Sequence, residues 1–243
     1  VARSVLTHWP APAKLNLFLH VLGRRTDGYH LLQSVFQFTT LCDELCFNVR
    51  NDGVITRPQG PKDVEAEHDL VVRAARALQT ATRSALGADI QVHKRIPMGA
   101  GLGGGSSDAA TTLVALNQLW GTGLTVDTLA TLGLPLGADV PVFVRGLAAW
   151  AEGIGEQLTP VELPEPCYAI VVPDAQVATA SIFSAPELRR DHPRISLADY
   201  LAGAGENDCT AVTCARYPAV AQALRWLARA APAQMSGTGS AVF

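Results

Sequence analysis

The sequence predicts an α/β (α+β) chain, and three stretches carry that prediction. The first is Asp89–Ile96, which alternates with Ile90, Val92, Lys94 and Ile96 on one side, as a strand does. The second follows at once: PMGAGLGGGSSDAA, Pro97 to Ala110, where Gly99, Gly101, Gly103, Gly104 and Gly105 precede Ser106, Ser107 and Asp108. Glycine removes the steric barrier to positive φ and lets backbone lie against a ligand. The third is the run after it, with Ala109, Leu113, Leu116 and Trp120 at helical spacing and Gly121 as its stop. Strand, glycine loop and helix together make a phosphate cradle, because loop amides and the first-turn donors of the helix converge on one anion. Ser106 or Ser107 is the expected N-cap.

The other elements follow in order. Lys14–Leu22 alternates, with Leu15, Leu17, Leu19 and Val21 on one face and Lys14, Asn16, Phe18 and His20 on the other. It reads as a half-buried strand that presents Lys14 and Asn16 together. GRRTDG, Gly23–Gly28, is turn chemistry, and Tyr29-His30 after it is an aromatic pair at a strand entry or part of a site. Ser34–Thr39 and Glu44–Val49 read as two strands, and the polar stretch Asn51–His68 as a surface excursion. Asp69 caps a helix over Leu70–Ala81, and Thr125 caps a short one over Leu124–Leu132. In LGADVPVF, Asp139 stands among small and apolar residues and is either a cap or a functional carboxylate.

Strands are expected at Ala148–Glu152 and Glu156–Thr159, and the prolines of Pro160–Pro166 place a domain boundary, giving 1–159 and 160–243. The second part opens with a strand at Cys167–Val172, and Asn207-Asp208 caps one long helix reaching Ala230. The stretch QMSGTGSAVF makes a second small glycine turn, and this domain is expected to be incomplete at its C-terminus.

Composition narrows the class. Of 243 residues 48% are hydrophobic and 17% charged, with a net charge of −3, so a folded core is expected and a polyanion partner such as nucleic acid is not. The start, VARSVLTHWPAP, has no apolar core of signal-peptide length, and no apolar run approaches the roughly 20 residues that span a bilayer, so no membrane partner is expected. Five cysteines, with neither a CxxC nor a zinc-type histidine spacing, read as reduced thiols of a cytoplasmic protein, with no metal held by side chains alone. The P-loop pattern fails for want of a lysine after the glycines. A dinucleotide fingerprint can be forced onto Gly99, Gly101 and Gly104, but His93, Lys94 and Arg95 are wrong for a buried parallel strand.

PAKLNLFLHVLGRRTDGYH, PMGAGLGGGSSDAA and MSGTGSAVF, in that order, resemble the three motifs of the GHMP kinases. Within that family PAKLNL with DGYH, LGADVPVF and Glu206-Asn-Asp208 are similar to the branch that serves the non-mevalonate isoprenoid pathway. The resemblance implies the two-domain GHMP kinase fold, with ATP and substrate meeting in the inter-domain cleft. It also implies ATP with Mg2+ as cofactors, a cytidine diphosphate-linked methylerythritol as acceptor, and a monomer or weak homodimer. On the matched positions Asp139 is the catalytic base with Lys14 beside it. Pro97, Gly99, Gly101, Leu102, Gly103, Gly104, Gly105, Ser106 and Ser107 form the ATP loop, with a hydroxyl of Ser106 or Ser107 reaching the metal. Asn16, Tyr29, His30, Thr179 and Phe183 contact the substrate, the cytosine stacking between Tyr29 and Phe183. Asp69 stands near the adenine where the family usually has Asn, and a carboxylate lacks the donors of an amide.

Overall fold

The computed structural model describes residues 7–243. The first half of VARSVLTHWPAP, residues 1–6, lies outside them, and with it part of the signal-peptide reading. The chain divides into two units. Unit 1 takes the chain up to Ala13, then Thr39–Ile96 and Gly103–Gly146; unit 2 takes Lys14–Phe38, Pro97–Leu102 and Leu147–Phe243. The 159/160 break expected from the prolines falls inside unit 2. Strands β1 (Thr7–Arg24) and β2 (His30–Arg50) pair with each other, and each runs through both units.

In unit 1, Glu44–Arg50 of β2 runs antiparallel to β4 (Gly87–His93), in a register that sets Phe47 opposite Ile90. Strand β3 (Ile55–Gln59) lies parallel to β4 on its other side. It falls in the stretch expected to be a surface excursion: Pro58 and the absence of alternation hide it, and pairing through Ile55 and Thr56 creates it. Helix α1 (Leu70–Thr82) begins where Asp69 accepts the Val71 amide, as expected, and buries Val71, Ala75 and Leu78. Helix α2 (Gly104–Leu119) buries Ala109, Leu113 and Leu116, and packs on α1 and on α4 (Val140–Arg145). Helix α3 (Val126–Gly133) is capped by Thr125. Trp120 Nε1 donates to the Gly87 carbonyl at 3.2 Å and ties the end of α2 to the start of β4.

In unit 2, Ser34–Phe36 of β2 pairs antiparallel with β5 (Ala149–Glu152), which turns at Gly153–Gly155 into β6 (Gln157–Pro160). Short helices α5 (Thr179–Phe183) and α6 (Leu197–Leu201) follow. The long helix expected from Asn207 is two: α7 (Cys209–Arg216) and α8 (Pro218–Leu227). Pro218 is the cause, since it has no amide to donate and pushes Tyr217 out of helical geometry, to φ −126° and ψ 85°. The core gathers Leu19, Val21, Val177, Ile182, Cys209, Val212, Val220, Met235 and Val242.

Three further expectations change. Ser34–Thr39 and Glu44–Val49 are one continuous β2. Residues Ala13 to Val21 are buried on both faces of β1, so Lys14, Asn16 and His20 stand in the interior rather than on a wet face. The strand at Cys167–Val172 does not form; Val171 makes a lone bridge to Val242. All five cysteines are free, and no helix among the described residues is long and apolar enough to cross a membrane.

Candidate functional site

The glycine loop keeps its backbone by positive φ at Gly99 (68°), Gly101 (76°) and Gly103 (74°). Its carbonyls are held within unit 2: Ala100 O by the Ala241 amide at 2.9 Å, Gly101 O by Ser236 Oγ at 2.9 Å, and Leu102 O by the Lys14 amide at 3.0 Å. Carbonyls fixed on one side leave the amides for the other, and those of Gly103, Gly104 and Gly105 have no backbone acceptor among the described residues. At Gly101 a Cβ would stand 2.4 Å from the Ser236 carbonyl oxygen, so only glycine allows this approach. The N-cap of α2 is Gly103, not Ser106 or Ser107, and no side chain caps the helix. Left-handed Gly103 takes the cap position and draws both serines into the first turn. There Ser107 is fully buried and its hydroxyl has no hydrogen-bond partner among the described residues.

Beneath the start of α2 in unit 1, Lys94 Nζ lies 2.7 Å from Asp108 Oδ2 and pairs also with Asp43. A Cβ on Gly104 would come within 3.2 Å of that ammonium, so the glycine makes room for it. Asp43 Oδ1 accepts the Arg95 and Ile96 amides at 2.5 and 2.8 Å, which shapes the exit from β4. Burial pushes the Asp108 carboxyl up to about 7, against the pull of Lys94. This cluster escaped the sequence reading; its signal was a lysine ending the strand before the loop and an aspartate in the first turn after it.

Two more expected residues fall beside the loop within unit 1. Asp139 sits at the N-cap position of α4, partly buried, and its side chain makes no capping bond. Two residues earlier, a Cβ built on Gly137 would lie 3.4 Å from Ser106 Oγ, so the turn carrying Asp139 runs against the first turn of α2. Asp69 opens α1, whose Leu70 lies close to Gly105. Its Oδ1 caps the helix and its Oδ2 stands 2.8 Å from Arg57 Nη1, so both oxygens serve the fold.

Unit 2 brings Lys14 and Asn16 together. The Lys14 ammonium donates to Asn16 Oδ1 and lies 5.3 Å from the centroid of the Phe36 ring. Asn16 Nδ2 donates to Ser34 Oγ at 2.8 Å, and its amide donates to Ser236 Oγ at 3.1 Å, the hydroxyl that in turn holds Gly101. Lysine, asparagine and glycine loop are therefore one hydrogen-bonded assembly. Asn207 braces the second glycine turn by donating to Met235 O and Gly237 O, and Thr179, exposed, meets Thr238 at 3.0 Å.

A separate corner of unit 2 is aromatic. His30 stacks on Phe183 with ring centroids 5.1 Å apart and 26° between planes, so the partner of Phe183 here is His30; Tyr29 is 59% exposed. Arg190 Nε donates to His30 Nε2 at 3.1 Å, while its Nη atoms bond the carbonyls of Phe183, Ala185 and Leu188. Burial and the charge of Arg190 lower the His30 pKa, which keeps the ring neutral with its proton on Nδ1. Arg190 had no signal in the sequence beyond an Arg-Arg pair in polar chain.

Comparison with known proteins agrees with these motifs. The model of the GHMP kinases N terminal domain matches residues 69–147. The 4-diphosphocytidyl-2-C-methyl-D-erythritol kinase of Nitrosococcus oceani is 59% identical over 97% of this chain and 84% of its own length, and that of Aromatoleum aromaticum 56% identical over 98% and 84%. A crystal structure of 4-(cytidine 5'-diphospho)-2C-methyl-D-erythritol kinase superposes with a TM-score of 0.80 at 35% identity, covering 97% of this chain and 88% of that one. Mevalonate kinase of Methanococcus jannaschii shares the fold at a TM-score of 0.62 and 13% identity, over 99% of this chain and 90% of its own. By sequence along nearly its whole length, and by fold, the chain belongs to the GHMP kinases, in the branch of the 4-diphosphocytidyl-2-C-methyl-D-erythritol kinases.

Proposed function

We propose that the chain transfers the γ-phosphoryl group of ATP to the 2-hydroxyl of 4-diphosphocytidyl-2-C-methyl-D-erythritol, a step of the non-mevalonate route to isoprenoid precursors. Identity of 56–59% to kinases of that name over nearly the whole chain is the observation that carries this reading.

Phosphoryl transfer passes through a loose transition state, so the protein's tasks are to position groups and neutralise charge. The amides of Gly103–Gly105 and the start of α2 suit the triphosphate. Mg2+ would neutralise the β- and γ-oxygens; it is a hard cation that takes oxygen ligands, and the unpartnered Ser107 hydroxyl, with Ser106 beside it, fits such a donor set. Lys14, buried, is assigned to the oxygens of the transferring group. Asp139 is assigned to the acceptor hydroxyl. A carboxylate is a weak base beside an alkoxide, so it orients the hydroxyl and takes its proton late. Asn16 and Thr179 are assigned to the sugar-like chain, and Tyr29, His30 and Phe183 to the cytosine, with the His30 Nδ1–H as donor to its polar edge.

The test is ADP release from ATP with the cytidylated tetrol, homoserine or mevalonate as acceptor. Turnover is expected with the first alone, and with Mg2+ present. Equal turnover on an acceptor without the cytidine group would refute the assignment.

A further inference from the structure

Near the start of β1, outside the motifs above, three unlike side chains meet in unit 1. His8 Nδ1 lies 2.5 Å from Glu44 Oε1 and 3.5 Å from Cys46 Sγ, and the three atoms fall within 4.8 Å of one another. Glu44 and Cys46 are two apart on β2, hence on one face of that strand. We propose that His8, Glu44 and Cys46 form a binding site for zinc, or for another borderline-soft divalent cation, with the fourth position left to water.

The donor set is one imidazole nitrogen, one thiolate and one carboxylate oxygen, which suits zinc rather than a hard cation. Bonds of about 2.0–2.3 Å at a tetrahedral ion set neighbouring ligand atoms roughly 3.4–3.6 Å apart. The His8–Cys46 separation already meets that spacing. The His8–Glu44 pair must open by about 1 Å on the same bond lengths, and His8, with 62% of its side chain exposed, is free to swing. Arg95 Nη2 stands 3.3 Å from the other carboxylate oxygen, Oε2, so Oε1 is the one offered to an ion. Binding replaces the S–H bond of Cys46 with S–Zn and sends the proton to solvent. Burial raises the Cys46 thiol pKa, so affinity climbs with pH. Separations of 36 and 38 residues match no zinc spacing, which is why the cysteine pattern alone gave no sign of this site. A bound ion would staple the beginning of β1 to β2.

The experiment titrates the full chain with Co2+ as an optical probe, then with Zn2+, and follows thermal unfolding. One equivalent of Co2+ is expected to give a thiolate-to-metal charge-transfer band that Zn2+ abolishes, with a rise in Tm. His8→Ala and Glu44→Gln should each weaken binding about tenfold or more, at least what loss of an outer-shell partner costs. Cys46→Ser should remove the band. Should that buried substitution fail to fold, the two other variants decide the matter, because their side chains are exposed or partly so. Absence of stoichiometric binding, or an unchanged band and affinity in His8→Ala, overturns the proposal.

Discussion

The glycine loop and the aromatic corner at His30 are built by opposite means, and on the proposed function each would recognise its ligand differently. The loop uses backbone: positive φ at three glycines, carbonyls sewn down by Ala241, Ser236 and Lys14, and helix-start amides left over. The corner uses side chains, with His30 stacked on Phe183 and its tautomer set by Arg190. In that proposal a backbone cradle would fit any polyphosphate and bar a Cβ at Gly101, whereas side-chain recognition would select a particular base and tolerate trimming. Substitutions in the two regions should therefore differ in kind as well as in size.

The largest effect is expected where chemistry rather than recognition is removed. Asp139→Asn should lower kcat by about 10²–10⁴, the usual worth of a general base, and leave the KM for ATP near its original value. Near-normal kcat in that variant would take Asp139 out of the mechanism. Gly101→Ala comes next. Its Cβ meets the Ser236 carbonyl at 2.4 Å and its φ of 76° is strained for alanine, at about 1–3 kcal/mol. Urea unfolding should register that loss, and the KM for ATP should rise more than that for the cytidylated acceptor. If the acceptor KM alone rose, the contrast between the regions would be broken.

Tyr29→Ala should do the reverse and more gently. The acceptor KM should rise about 2- to 10-fold, the worth of one aromatic pair, with ATP unaffected and stability intact because the ring is exposed. An equal rise for both substrates would move Tyr29 from recognition to fold.

The smallest effect compares the buried clusters of the two units. Asp108 is favoured protonated in the fold, so its stabilisation is full below the ordinary carboxylate pKa and fades as pH rises through about 7. His20, pushed down to about 4 by burial and by the charge of the neighbouring His192, is favoured neutral, and its stabilisation is full above about 6.5 and fades as pH falls through about 4. Urea midpoints taken from pH 4 to pH 8 should flatten on the neutral side in Asp108→Asn and on the acid side in His20→Phe. Parallel curves for all three proteins would mean that neither group titrates in this range.

What the sequence disclosed and what it hid divide along the range of the forces involved. The strand, loop and helix from 87 to 119 were legible because glycine φ and apolar spacing act between near neighbours. Asp69 and Thr125 were legible as caps for the same reason. The cap of α2 was misplaced because a left-handed Gly103 outcompetes the serines, which propensity alone does not show. Strand β3 was missed because only β4 beside it makes Ile55–Gln59 a strand. Arg190 on His30, and Lys94 between Asp43 and Asp108, join residues 160, 51 and 14 apart, a geometry only the folded chain supplies.

The loop's three tethers have a consequence for synthesis. Two of them, Ser236 and Ala241, come from the last residues of the 243 given, while the loop they hold ends near residue 103. During translation the glycine segment leaves the ribosome long before two of its three fasteners, Ser236 and Ala241. If the loop holds the triphosphate as proposed, nucleotide binding is expected only of a chain that has been made through that late turn.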